Sequence, residues 1–495
     1  MNVADDRLKE LDNPSLTEGE RVLLRCRVAS DFIHKGQYEA AREALGELWL
    51  GVGQRPPARE LPPAIEAEVL LQCGTLTGWL GSVRNVSGAQ EQAKDMLSEA
   101  ARAFRSQGMP AKVSEAQYEL GICYWRLGSF DEARLVLGEA LTPLKETDVE
   151  LKAKIHIRRT LVEISENRYN EALNILKEAE PVFESANDAL KGRWHGQRAI
   201  ILLKLAATEH RPDYADRAII EFTAAVYHYE QARHERYCAL NLNNLAFLLY
   251  KLGRYRDAHE HLDRAQLIFT KLRDTGNVAQ VDETRARVLV AEKKYRDAER
   301  IMPGVIKTLE QAGESALLAD ALTVQGIVWA RLGSFDSSID ILRRAMKVAQ
   351  DSGATTSAGH AVLTLIEEHG ATWRLPESEL TKLYHRAHGL LKGSQDAEDK
   401  ERLLACALIV IKRLSGMQIH DKNFSFYGAV LELEARLIEQ ALELEGGSIT
   451  RAAERLGLKR QALASMLQAR HKKLMDKRTP PIPRRKSIIK DRPKK

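Results

Sequence analysis

The stretch Tyr118–Leu141, YELGICYWRLGSFDEARLVLGEAL, decides the fold. Apolar residues recur three and four apart before Gly128 and again after Phe130, the spacing of helices that each bury one face. Gly128 separates the two runs and tolerates the left-handed conformation that ends a helix. Phe130, two residues on, packs into the turn. Ala133, three further, is small enough for the second helix to cross the first closely. The stretch therefore reads as a helical hairpin.

Working outward, the pattern G-x-[FY]-x-x-[AS] recurs. Gly36-Gln37-Tyr38 pairs with Ala41, Gly253-Arg254-Tyr255 with Ala258, and Gly333-Ser334-Phe335 with Ser338. Weaker copies keep Tyr169 with Ala172 and Tyr295 with Ala298, but Asn167 and Lys293 replace the glycine. The small residues at 133, 172, 218, 258, 298 and 338 lie 39 or 40 apart, except around an insertion near His210-Arg211-Pro212. A fixed period of this size marks stacked supersecondary units. With further copies at Ala93 and at Tyr384 with Ala387, nine hairpins are expected over residues 1–395.

These hairpins resemble the tetratricopeptide repeat, whose recurring positions are filled here by Gly121, Tyr124, Gly128, Phe130, Ala133 and Ala140. The usual period is 34, so about six residues per unit must lengthen the helices. The resemblance implies an α-solenoid superhelix whose inner face, lined by the first helix of each pair, binds a peptide or protein. Repeat register carries Arg126, Gln197, Asn243, Lys251, Arg287 and Arg331 onto that groove. An amide there can both donate to and accept from an extended peptide backbone. The plainer reading makes each of them an ordinary solvated side chain.

Composition agrees with an all-α chain. Of 495 residues, 44% are hydrophobic and 6% aromatic, and runs of period two are nearly absent, which disfavours strands. The net charge of +5 is unevenly placed: Lys472–Lys495 holds eleven Lys or Arg against two Asp, leaving the remainder net acidic. Cys26, Cys73, Cys123, Cys238 and Cys406 are widely spaced and form no C-x-x-C pair, so they read as small buried residues rather than metal ligands or a disulfide framework. The longest uncharged apolar run, Leu403 to Ile411, is about half of a membrane span. A soluble, cytoplasmic, nucleoid-associated protein with no membrane partner is expected.

A second motif lies in Leu431–Lys473, LELEARLIEQALELEGGSITRAAERLGLKRQALASMLQARHKK. A helix carrying Leu431, Ala435, Ile438 and Leu442 stops at Gly446-Gly447. Ser448 can cap a short helix, Ile449 to Leu456, whose Ala452 and Ala453 permit close packing, and Gly457 makes the turn. A third helix buries Leu463, Met466 and Leu467. Residues 437–467 resemble the C-terminal helix-turn-helix of the Fis type through Leu437-Ile438, Ala441-Leu442, Gly447, Ala452-Ala453, Leu456-Gly457-Leu458, Arg460, Leu463 and Leu467. That resemblance implies that the third helix enters the DNA major groove. The candidate DNA-binding residues are Arg451, Lys459, Arg460, Gln461, Ser465 and Gln468. Where Lys459 and Ala462 stand, the family usually has Ser or Asn and Thr.

Gly393–Asp396 reads as a linker, and a helix from Glu398 to Leu414 with Leu403, Leu404, Ala407, Leu408 and Ile411 on one face leads into residues 396–475, the expected DNA-binding domain. That face is either the seam against the last hairpin or half of a dimer interface; Fis-type units commonly dimerise through the preceding helices, so a homodimer is implied. Thr479–Pro483 cannot continue a helix, and residues 476–495 form a basic disordered tail in which Arg484, Arg485 and Lys486 would meet phosphates. No phosphate-binding G-x-x-x-x-G-K-[ST] loop, H-E-x-x-H or G-x-S-x-G motif occurs, so neither an enzyme nor a cofactor is expected. His259 and His261 read as exposed. The expectation is a bacterial regulator that joins a peptide- or protein-sensing solenoid to a reader of double-stranded DNA. The alternatives are a scaffold whose C-terminal unit only dimerises, and a sequence-indifferent nucleic-acid binder.

Overall fold

The computed structural model describes residues 15–58, 60–209, 211–372, 374–394, 396–415 and 425–477. Among them there is no strand. The helices, in order, are α1 (Glu18–His34), α2 (Tyr38–Leu45), α3 (Pro63–Val83), α4 (Ala89–Ser106), α5 (Pro110–Arg126), α6 (Phe130–Glu139), α7 (Val149–Ser165), α8 (Tyr169–Glu178), α9 (Glu180–Glu184), α10 (Asp188–Glu209), α11 (Pro212–Gln231), α12 (Glu235–Lys251), α13 (Tyr255–Lys271), α14 (Thr275–Ala291), α15 (Tyr295–Ala312), α16 (Ser315–Arg331), α17 (Phe335–Asp351), α18 (Thr355–His369), α19 (Glu377–Leu391), α20 (Ala397–Ser415), α21 (Phe426–Leu444), α22 (Ile449–Arg455) and α23 (Arg460–Ala469).

From α1 to α19 the helices pair in sequence, α9 being a short extra turn. The small residues of the repeat are what the pairing needs: Ala41, Ala93, Ala133, Ala172, Ala218, Ala258, Ala298, Ser338 and Ala387 are all fully buried. Facing glycines matter equally. A Cβ added to Gly121 would lie 2.6 Å from Leu137, and one at Gly326 would lie 2.5 Å from Leu342. Helices α12 to α17 are 17 or 18 residues long, joined by turns of two or three, which accounts for the period of 40.

Each tight turn needs a left-handed residue. Gly128, Gly253 and Gly333 supply it at φ 76°, 74° and 86°. Asn167 and Lys293, which replace the glycine in the weaker copies, adopt the same conformation at φ 59° and 63°. Tertiary packing thus overrides a local penalty of roughly 1–2 kcal/mol. First helices also pack on the next first helix (α12 on α14, α14 on α16, α16 on α18), whereas among the described residues no comparable packing joins successive second helices. The first helices therefore form the inner face of the stack.

Two compact units result, Met1–Ile409 and Val410–Lys495. The division falls within α20 rather than at the 395/396 linker, because Ser394 Oγ donates to Asp399 Oδ2 at 2.6 Å, Arg402 holds Glu367 at 2.8 Å, and buried Cys406 faces the Leu363 carbonyl. The buried line of α20 runs through Asp399, Cys406 and Val410. Leu404, on the face that the sequence left open between a seam against the last hairpin and half of a dimer interface, is 51% exposed.

The second unit has its own core. Ile438, Ala441, Leu442, Ala452, Ala453, Leu463 and Leu467 are buried together. Gly446, Gly447 and Gly457 take positive φ at the two turns. All five cysteines are free and buried.

Candidate nucleic-acid interface and solenoid groove

Helix α23 buries Leu463 and Leu467, four residues apart, and so turns Gln461, Ser465 and Gln468 outward. Arg460 and Lys459 at its start are exposed as well. Lys459 occupies the N-cap without a side-chain hydrogen bond, and so does Ser448 at the start of α22. The cap expected from Ser448 is therefore not made. Instead, Ser448 contributes only its carbonyl, accepting from the Ala452 N–H at 2.9 Å.

Arg451 is exposed but tied down on one side. Its guanidinium donates to the Glu445 carbonyl at 3.1 Å and stands 3.6 Å from the Glu445 carboxylate, which Arg455 also grips at 2.6 Å. After α23 a turn of 3-10 helix, Lys472–Lys477, straps back onto α21: His471 pairs with Glu434 at 3.0 Å and Lys477 with Glu443 at 2.6 Å. These contacts tie α22 and the turn after α23 to α21. All six candidate DNA contacts thus lie on the exposed surface of one small, braced unit; the tail residues Arg484, Arg485 and Lys486 lie outside the described residues.

Helix α21 divides into two faces. Ile438 and Leu442 serve the unit's own core, so they are not available to a second copy as the sequence suggested. Leu433, Leu437 and Leu444 are exposed on another face. Their spacing of four and seven, with Val430 preceding, is that of a helix-pairing seam. Heptad spacing was the signal that would have found them.

In the first unit, the six groove candidates differ in how they are satisfied. The Arg126 guanidinium lies 4.0 Å from the Trp79 ring centroid and donates to the Gly78 carbonyl at 2.8 Å. Arg287 pairs with Glu283 at 2.5 Å and Arg331 with Glu368 at 2.8 Å. Lys251 donates to both carboxylate oxygens of Glu398 on α20, at 2.8 and 2.6 Å. The amides are the opposite case. Gln197 Oε1 and Asn243 Oδ1 are shielded from solvent and have no hydrogen-bond partner among the described residues. A buried carbonyl oxygen left so costs roughly 1–3 kcal/mol.

Electrostatics follow burial. Desolvation pushes the Glu119 carboxyl on α5 up to about 7, against the pull of Arg158. Arg158 is itself almost fully buried, its Nε without a partner among the described residues and its guanidinium 5.2 Å from the Trp125 ring centroid. For Glu398, burial raises the carboxyl, but the hydrogen bond and charge of Lys251 outweigh it and hold the group below its ordinary value. His259, expected to be exposed, is partly buried and bonds Glu292, at the end of the next hairpin's first helix, at 2.9 Å. Among the described residues, no three His, Cys, Asp or Glu side chains converge to hold a metal, and no helix is long and apolar enough to cross a membrane.

Comparison with known proteins places the second unit. Residues 430–468 match the family described as bacterial regulatory protein, Fis family. No curated protein matches the chain in sequence. Among solved structures, the apo form of RapI is similar at 15% identity with a TM-score of 0.52, over 80% of this chain and 99% of that one. A Rap protein complexed with competence and sporulation factor gives 17% identity and a TM-score of 0.48, over 74% of this chain and 100% of the other. A signal transduction ATPase with a tetratricopeptide repeat sensor, from Pyrococcus horikoshii, gives 12% and 0.49, over 80% of this chain and 56% of the other. At such identities the likeness to RapI is one of fold. The chain is an array of tetratricopeptide-like hairpins followed by a Fis-type helix-turn-helix.

Proposed function

We propose that this protein is a bacterial transcriptional regulator of the cytoplasm, in which the helical array binds a peptide or protein and the C-terminal unit reads double-stranded DNA. The observation that carries the reading is α23: its apolar side closes a private core while Arg460, Gln461, Ser465 and Gln468 stand free on the other side. That is the requirement for a helix lying in the major groove.

A homodimer fits the same reading. One helix-turn-helix reads only a few base pairs, and two copies on a two-fold site would place their reading helices about 34 Å apart. The exposed Leu433, Leu437 and Leu444 give a second copy a surface to pair with. A ligand of the array can regulate DNA binding only by favouring one of two states that differ in affinity for DNA. Gel-shift of the whole chain on a palindromic duplex, against excess random duplex, tests the proposal. A specific shift is expected; equal competition by random DNA would contradict it.

A further inference from the structure

Long side chains bridge successive second helices at a fixed register. Arg264 on α13 donates to Glu230 on α11 at 2.6 Å, and Arg344 on α17 bonds Glu310 on α15. Each arginine follows the buried small residue of its helix, Ala258 or Ser338, by six positions and its partner by 34. Between them, on α15, the same register falls on Gly304, with Thr270 where the glutamate should be, so this link is missing. A Cβ at Gly304 would meet nothing within 4 Å. Packing therefore does not require the glycine, which costs a helix interior about 1 kcal/mol.

The missing link coincides with a cleft of about 480 Å³ between α13, α14 and α15, whose lining includes Phe269, Thr270, Val278, Asp282, Gly304 and Val305. The lining has also changed character. Asp282 stands where the neighbouring first helices carry the fully buried Leu242 and Leu322, and Thr308 stands where the neighbouring second helices carry Ile268 and Val348. Gln266 Nε2 donates to Asp282 Oδ1 at 2.7 Å, and Arg285 stands 4.0 Å from the same oxygen, its guanidinium held by Asp263 at 2.8 Å. Oδ2 has no hydrogen bond among the described residues. Burial pushes this carboxyl above its ordinary value by more than Arg285 lowers it, so the group gains from a further cation. The charged lining, Arg273, Asp274 and Asp282, is net negative.

We propose that this cleft is a docking slot for an arginine side chain of a protein partner, with the guanidinium on Asp282 and the methylene stem on Phe269, Val278 and Val305. The counterparts of Gly304 are themselves arginines, so the fold has room for such a side chain at this register. An apolar wall beside a carboxylate suits a residue with an apolar stem and a charged head. The planar guanidinium can meet Asp282 through one N–H and the Thr270 or Thr308 hydroxyl through another. Such a partner meets the array here whatever its inner face binds.

The test is saturation-transfer NMR on the whole protein with N-acetyl-arginine N-methylamide, which presents the side chain as a protein does. It is compared with the equally capped citrulline, which keeps the shape without the charge, and with free arginine. Two variants are measured beside the wild type: Asp282→Leu, which matches the neighbouring hairpins, and Gly304→Arg with Thr270→Glu, which rebuilds the missing ion pair and fills the cleft. Circular dichroism checks that both fold. The wild type should transfer saturation to the methylenes of capped arginine, and the signal should fall about tenfold for capped citrulline and for both variants, the loss of one charged hydrogen bond. An equal signal from citrulline, a signal that persists in either folded variant, or none from the wild type would overturn the proposal. A signal from free arginine without one from the capped residue would overturn it too, in favour of a free amino acid as ligand.

Discussion

Ser338 donates its hydroxyl to the carbonyl oxygen of Gly326 at 2.7 Å and stands 2.9 Å from His369 Nε2. It fills the position that other hairpins fill with alanine, and joins the two helices of its own hairpin to the first helix of the next. Ser338→Ala should cost about 1 kcal/mol, the ordinary worth of a buried hydrogen bond. Ser338→Leu should cost about 1–3 kcal/mol or more, because the crossing has no room for it. Thermal midpoints by circular dichroism rank the two; a harmless leucine would show that the position does not control the crossing.

Glu119 gives a pH prediction. Its carboxyl titrates at about 7 in the folded chain against 4.5 when unperturbed, because burial disfavours the charge. The native state therefore binds more protons than the unfolded chain between these values. Stability from this group is fully present below the lower value and is lost as pH rises through the upper one. Glu119→Gln should leave the melting temperature near pH 4 little changed and raise it near pH 8 relative to the wild type, by roughly 1–3 kcal/mol equivalent. An equal difference at both pH values would contradict the assignment.

The two faces of α21 separate folding from assembly. Ile438 is 2% exposed and Leu437 is 46% exposed. Ile438→Asp should unfold the C-terminal unit, since it puts an unpaired charge in its core. Leu437→Asp should leave it folded and yield monomers. Analytical ultracentrifugation with circular dichroism checks both; a folded dimer of Leu437→Asp would remove the exposed leucines from the interface.

The C-terminal basic residues should act on DNA without regard to sequence. Deleting residues 484–495 should weaken binding to all duplexes alike and flatten the plot of log affinity against log salt by about 0.9 for each phosphate that those residues neutralise. An unchanged slope would assign these residues another role.

The hairpins were legible because Ala133, Ala258 and their counterparts are set by a local need, close helix crossing, that leaves a period in the sequence. The same need explains why Asn167 and Lys293 could be read as turn residues despite the missing glycine, and the φ angles bear this out. The Fis-type unit was legible through Gly447, Ala452-Ala453 and Gly457, whose spacing reflects two tight turns. Pairings between distant segments were not. Nothing near Lys251 announces Glu398, and nothing near His360 announces Asp399, because periodicity tells which face of a helix is buried but not what arrives to cover it. Ser448 likewise looked like a cap and makes no side-chain hydrogen bond there.

Sequence selection of random duplexes by the whole protein tests the central claim most directly. The wild type should enrich a two-fold motif whose half-sites lie about one helical turn apart. Arg460→Ala with Gln461→Ala should lose preference at the bases those residues meet, by about 1–3 kcal/mol per bidentate pair, while circular dichroism shows the fold intact. A wild-type pool no more enriched than the input, or one whose motif survives the double substitution unchanged, would contradict the account of α23 as a reader of DNA.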